Sequence, residues 1–197
     1  VVVADDTARA EFVAADLLAQ AEHGPDGAAM VVTWSETVVD AVDAAVAMLI
    51  ESADRRGEIE STLATGGRIV LVDDSDAAMA VANTIAPEHL ELMTADPGAL
   101  VPLVRNAGAV FCGPWAPAVV GDYVAGVNHV LPTARTARFA SALRVADFQK
   151  HVHVVSLDEQ AFARVAPHVQ AFADIEGLEA HGRSVTVRET STDERAP

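Results

Sequence analysis

The segment Ala29-Met30-Val31-Val32-Thr33-Trp34-Ser35-Glu36-Thr37-Val38-Val39-Asp40 decides the fold class. Ala29 to Thr33 is a near-continuous apolar, β-branched run and reads as a strand. Glu36 to Asp54 then reads as one long helix. Its most apolar part, Val38 to Ile50, carries Asp40 and Asp43, so it reads as a soluble, largely buried helix. Outward from this pair the alternation repeats. Val1 to Ala4 is a strand, and Ala8 to His23 has helical apolar spacing through Phe12, Ala15, Leu18 and Ala19, ended by Gly24-Pro25-Asp26-Gly27. Arg68 to Val72 is a third strand, and the acids of Asp73-Asp74-Ser75-Asp76 suit the start of a helix that runs to about Ile85 and breaks at Pro87. A short strand near Leu90 to Met93, a helix near Leu100 to Arg105 and a strand from Ala109 to Cys112 follow. Strand and helix alternating in this way predict an α/β fold with a mostly parallel sheet covered by helices.

After Phe139 the texture changes. Val145 to Phe148, His151 to Ser156, a helical Asp158 to Glu176 and an alternating Ser184 to Arg188 predict a small α+β tail. The expected domains are therefore residues 1–143 and 144–197, with a polar, frayed end from Glu189 to Pro197.

The chain has 197 residues, enough for one large or two small domains. Apolar residues make up 51% of it, yet no uninterrupted apolar run approaches the roughly 18 residues needed to span a bilayer. No secretory leader is visible, and the opening Val-Val-Val-Ala-Asp-Asp reads as the interior of a longer protein. Thirteen basic against 29 acidic residues give a formal charge of −16. Such a surface repels nucleic acid and anionic membrane, so neither is an expected partner. The single Cys112 cannot form an internal disulfide, which fits a reducing, cytoplasmic setting; its apolar surroundings predict a core residue rather than a nucleophile.

Four polar clusters could carry chemistry. Gln20 and His23 lie three apart at a helix end and share a face; imidazole is a common zinc ligand and an amide oxygen a rarer one, but such a pair is more often a satisfied surface pair. Glu88-His89 follows Pro87 at a helix end and sets a proton acceptor beside a water-activating acid. The loop-like run Gly121-Asp122-Tyr123-Val124-Ala125-Gly126-Val127-Asn128-His129-Val130-Leu131-Pro132-Thr133 packs an acid, an amide and a histidine around glycines that allow close approach or positive φ. Asp122 could bind a metal and His129 a polar substrate group, or both could satisfy a turn. Glu176 and His181 form the last cluster, though lone histidines of that kind are usually structural. His151, His153 and His168 receive no role. No Gly-x-Gly-x-x-Gly, Walker loop, Gly-x-Ser-x-Gly or Cys-x-x-Cys occurs. From the residues alone this is an acidic α/β protein that could bind zinc through scattered N and O donors.

Taken in order, the clusters resemble the histidinol dehydrogenase family. The resemblance rests on Leu17 to Pro25, Ile85 to Leu92, the run from Gly121 to Thr133, Thr136-Ala137-Arg138-Phe139, and Glu176-Gly177-Leu178-Glu179-Ala180-His181. It implies a Rossmann-like α/β catalytic domain, of which this chain is the C-terminal half, followed by the tail. It implies zinc held by Gln20, His23, Asp122 and His181, His89 as general base and Glu88 as the acid that activates water. Substrate contacts fall on Gln20, His23, His89, Asp122, His129, Glu176 and His181. The implied reaction is oxidation of L-histidinol through L-histidinal to L-histidine with NAD, in a homodimer whose partner subunit supplies His181. The NAD-binding segment and a substrate-touching serine would lie before Val1, so these residues by themselves are expected to be inactive.

Four positions depart from the family pattern. Ala134-Arg135 stands where small residues, often glycine, are usual, and Ala116 and Ala118 replace more polar residues. The competing reading is a non-catalytic zinc- or imidazole-binding module, and a third is a catalytically dead dimerisation partner. Intact Glu88 and His89 argue against the third.

Overall fold

A computed structural model describes residues 1–24 and 26–193. The expected part of Pro25 in ending the first helix, and the end of the chain from residue 194, lie outside the described residues. Contacts divide the chain into two units, Val1–Phe148 and Gln149–Pro197.

The first unit is built on five parallel strands: β1 (Val2–Ala4), β2 (Ala29–Thr33), β3 (Gly67–Leu71), β4 (His89–Met93) and β5 (Ala109–Cys112). Their order across the sheet is β3-β2-β1-β4-β5, the order of a doubly wound Rossmann-type sheet. The register sets Val2 opposite Val31 on one side and Glu91 on the other, and His89 opposite Ala109.

Alternation along the strands divides the core in two. On one face Val2, Ala4, Val31 and Met93 pack with Val13 and Leu17 of α1 (Ala10–Ala21), Val38 and Val42 of α2 (Glu36–Glu51), and Ile59 of α3 (Arg56–Gly66). On the other face Val3, Val32, Leu90 and Leu92 meet Ala78, Met79 and Ala82 of α4 (Ser75–Ile85) and Leu100 of α5 (Pro97–Leu100). A parallel sheet buried on both faces accounts for the unbroken apolar strands of the sequence.

Local signals set the helix starts. Ser35 Oγ accepts the Val38 N–H at 3.4 Å, and Asp74 accepts the Ala77 N–H at 2.8 Å, as N-cap side chains do. The last α-helix of this unit is the short α6 (Ala118–Tyr123).

The structure corrects several expectations. The helix α2 is buried along one stripe only, through Val38, Val42 and Ala45, and Met48 is 63% exposed; the apolar content exceeds what one face can bury. Residues 56–66, unassigned from their weak pattern, form α3. Cys112 is exposed, not in the core, because the alternation along β5 turns it outward.

The second unit contains α7 (Glu159–Glu176) and α8 (Glu179–Asp193). Asp158 caps α7 through the Ala161 N–H at 2.7 Å, and Gly177 ends it at φ +68°. The expected tail strands are not found among the described residues: 151–158 has no regular structure, and Ser184 to Arg188 is helical within α8. A strand there would need a partner for its backbone groups, whereas a helix satisfies them internally.

Candidate active site

Strand β4 determines what faces the site. Leu90 and Leu92 enter the α4 core, so His89, Glu91 and Met93 point to the α1 side. Helix α1 offers Asp16 and Gln20, one turn apart on one face, and Gln20 Oε1 lies 3.3 Å from His89 Nδ1. From the opposite side, Asp122 Oδ1 of α6 lies 3.6 Å from His89 Nε2. That is beyond hydrogen-bond reach, and Nε2 is buried without a hydrogen-bond partner. Because the amide oxygen only accepts, the proton of a neutral His89 ring belongs on Nδ1, and Nε2 is the basic nitrogen.

Gln20, His23, His89 and Asp122 line one narrow cavity together with Asp16 and Glu91. Its volume is about 30 Å³, room for roughly one water-sized sphere. It lies at the amino ends of β1, β2 and β4, lined by Val1, Val2, Ala29 and Met30. Open α/β sheets usually hold ligands at the carboxyl ends, so this cavity lies at the edge opposite to the one the fold alone would suggest.

Three neighbours fix these side chains in place. His23 follows the end of α1, where the Thr62 hydroxyl of α3 donates to the Gly24 carbonyl. The Phe111 ring stands 5.9 Å from the His89 ring, centre to centre. Gly121 lets α6 close on Phe111, since a Cβ there would fall 2.5 Å from the ring. The close approach that a glycine permits is thus made to an aromatic side chain. Gly126, at φ +82°, uses the other freedom of glycine.

The run expected to be loop-like is helical from Gly121 to Tyr123 and irregular beyond. His129 is exposed in its irregular part, which Asn128 braces by donating to the Leu143 carbonyl at 2.7 Å and accepting the Val130 N–H at 3.0 Å. Glu88 is half-buried just before β4, its carbonyl accepting the Ala109 N–H at 2.9 Å. Neither Glu88 nor His129 lines the cavity. Glu176 ends α7 and His181 lies in α8, both exposed and both in the second unit. The structure therefore brings together Gln20, His23, His89 and Asp122.

Burial pushes the Glu91 carboxyl up to about 8, helped by the neighbouring Asp16 carboxylate, while the Val1 amine and the Ala118 N–H pull it down. Asp16 is raised too, by burial first. Sequence reasoning passed over Asp16, Glu91 and Thr62. The signal for the first two was present: Asp16 is one helical turn before Gln20, and Glu91 one strand repeat after His89.

Gln20, His23 and Asp122 offer the N and O donors that zinc accepts, around a space of single-ion size. Among the described residues no group of three or more His, Cys, Asp or Glu is placed to hold a metal; this unit offers an amide, an imidazole and a carboxylate.

Comparison with known proteins places the chain. A family model described as histidinol dehydrogenase matches residues 1–189. The histidinol dehydrogenase of Thermobifida fusca is 49% identical over 190 residues, 95% of this chain and 43% of that protein. That of Chlorobium chlorochromatii is 46% identical over 188 residues, 95% of this chain and 44% of that protein. A crystal structure of histidinol dehydrogenase from Elizabethkingia anophelis superposes with a TM-score of 0.91 at 33% identity, over 98% of this chain and 44% of that one. The chain thus spans under half the length of the relatives it matches, and over that span it belongs to the histidinol dehydrogenase family.

Proposed function

We propose that this chain forms the zinc- and substrate-binding part of an enzyme that oxidises L-histidinol through L-histidinal to L-histidine with NAD. The observation that carries the reading is the His89 ring, set between Gln20 and Asp122 at a cavity that His23 also lines. Gln20 holds the proton on Nδ1, and Nε2 is free to accept the substrate's hydroxyl proton as hydride leaves for NAD. The aldehyde must be hydrated before it can lose a second hydride, and Glu88, adjacent in sequence, is the group we assign to deprotonate that water.

Gln20, His23 and Asp122 would hold zinc, with His181 as the fourth ligand. Bound there, zinc would supply a Lewis-acidic anchor for the substrate's imidazole and amine. The cavity is too small for histidinol itself, so the substrate would lie at its mouth. We assign its remaining contacts to His129, Glu176 and His181, with His181 contributed by the second copy in a homodimer. No residue of this chain is given a part in holding NAD. A cytoplasmic setting fits an exposed, unpaired Cys112, and among the described residues no helix is long and apolar enough to cross a membrane.

The test uses a polypeptide of the relatives' length that carries this chain. It should release two NADH per L-histidinol. Glu88→Gln should slow oxidation of histidinal more than that of histidinol, with a loss of about 10²–10⁴-fold in the aldehyde step. No NADH from the parent protein, or equal losses in both half-reactions, would overturn the assignment.

A further inference from the structure

Glu91 is the cavity residue for which the reaction above has no use. Among the described residues it is the only charged side chain that is buried, at 5% exposure. Its surroundings follow from three periodicities that meet. Along β4, Glu91 is two residues past His89 and on the same face. Along α1, Asp16 is one turn before Gln20, and along α6, Ala118 is one turn before Asp122. The packing therefore has two tiers. In the upper one His89 stands between Gln20 and Asp122. In the lower one Glu91 stands between the Asp16 carboxyl and the Ala118 N–H, which donates to Glu91 Oε1 at 3.4 Å. Glu91 Oε2 is buried and accepts no hydrogen bond, and the side chain lines the cavity.

Two ionised carboxyls side by side, one of them out of water, repel each other. One proton between them removes the conflict: a carboxylic acid donates its O–H toward Asp16 and still accepts from Ala118 with the other oxygen. We propose that Glu91 is a positioning residue which, as a neutral carboxylic acid, ties α1 and α6 to β4 one tier below His89 and so sets Gln20 and Asp122 about the His89 ring. Its consequence for catalysis rests on the reading of His89 as the base; the clamp itself does not. The groups brought against Glu91 agree with a held proton. Burial and Asp16 raise it to about 8, against the terminal amine that this 197-residue chain carries at Val1 and the Ala118 N–H; His89 and Asp122 line the same cavity.

The experiment is NMR on the 197-residue chain, reading the Glu91 carboxyl ¹³C shift and the His89 ring ¹⁵N shifts. The carboxyl should remain protonated at neutral pH and titrate near pH 8, well above the usual carboxylate range. Glu91→Gln keeps one donor and one acceptor and should leave the His89 ring in its single Nδ1–H form. Glu91→Ala should let the two tautomers mix. A Glu91 carboxyl that titrates in the ordinary range sinks the proposal, as does loss of the single tautomer in Glu91→Gln. Both readings stand without Glu91→Ala, should that variant fail to fold. If the longer polypeptide does not oxidise histidinol, the proposed function fails while these spectra still decide the clamp.

Discussion

Ala134 and Arg135 adopt left-handed backbone, at φ +49° and +67°, where a side chain costs about 1–2 kcal/mol and glycine is free. The resemblance to the family implies small residues, often glycine, at these positions, and the observed backbone suits glycine. Arg135 recovers part of that cost by donating to the Thr84 carbonyl at 3.0 Å, a bond that Arg138 also makes. Ala134 makes no such bond among those described. Ala134→Gly should therefore raise stability by up to about 1 kcal/mol, and Arg135→Gly by less. Thermal unfolding of the two variants measures the difference, and a drop in melting temperature for Ala134→Gly would contradict the strain. If His89 is the base proposed above, its replacement by Asn removes the proton acceptor from both oxidations. In a polypeptide of the relatives' length, both half-reactions should fall by about 10²–10⁴-fold.

At the scale of elements, α6 reaches the site because residue 121 has no side chain. The Phe111 ring occupies the space a Cβ would need. Gly121→Ala must displace either the ring or the helix, and overpacking of this kind costs about 1–3 kcal/mol. Asp122 is the next residue, so the same displacement should move its carboxylate away from His89. Urea unfolding reads the stability loss, and the His89 ring ¹⁵N shifts read the displacement. An unchanged ring in a destabilised variant would mean that α6 and the ring are not coupled. Helix α3 acts in the same way on α1: the Thr62 hydroxyl holds the Gly24 carbonyl beside His23. A segment of weak apolar pattern thus positions one of the proposed ligands.

Over the whole molecule, the proton on Glu91 couples the site to stability. Its ordinary value is 4.5 and its folded value about 8. Between these, the folded chain holds a proton that the unfolded chain has lost, so rising pH favours unfolding. The contribution is fully present below about pH 4.5, is lost through the interval, and is gone above about 8; its size is on the order of a few kcal/mol. The buried Val1 amine, lowered to about 6, works in the opposite direction between about 6 and its ordinary 8.0. Glu91 raises that amine in turn, so Glu91→Gln and the parent chain are compared with the Val1 amine acetylated. The variant should show a flatter fall in urea-unfolding stability from pH 5 to 8, and parallel curves would remove the buried proton. At the same scale, Asp122 and His181 belong to different units. If a homodimer shares its sites, Asp122→Ala and His181→Ala, each inactive in full-length form, should regain a fraction of activity when refolded together. Confirmed heterodimers without activity would place His181 in the site of its own chain.

The residues alone carried the parallel α/β sheet, because continuous apolar strands between amphipathic helices have few other ways to bury themselves. The Asp74 cap, the break at Pro87 and the pairing of Gln20 with His23 on one face were equally legible, since each depends on neighbours within a turn or two. The tail was legible only in part: Ser184 to Arg188 alternates like a strand, but a strand requires a partner, and the partner is a tertiary fact. The convergence of Gln20, His89 and Asp122, far apart in the sequence, was decided by the order in which β1, β4 and β5 lie in the sheet. That order also set the site at the amino ends of the strands and buried Glu91 against Asp16. No local pattern records such a meeting, because the energy that enforces it comes from packing between elements and not from any one of them.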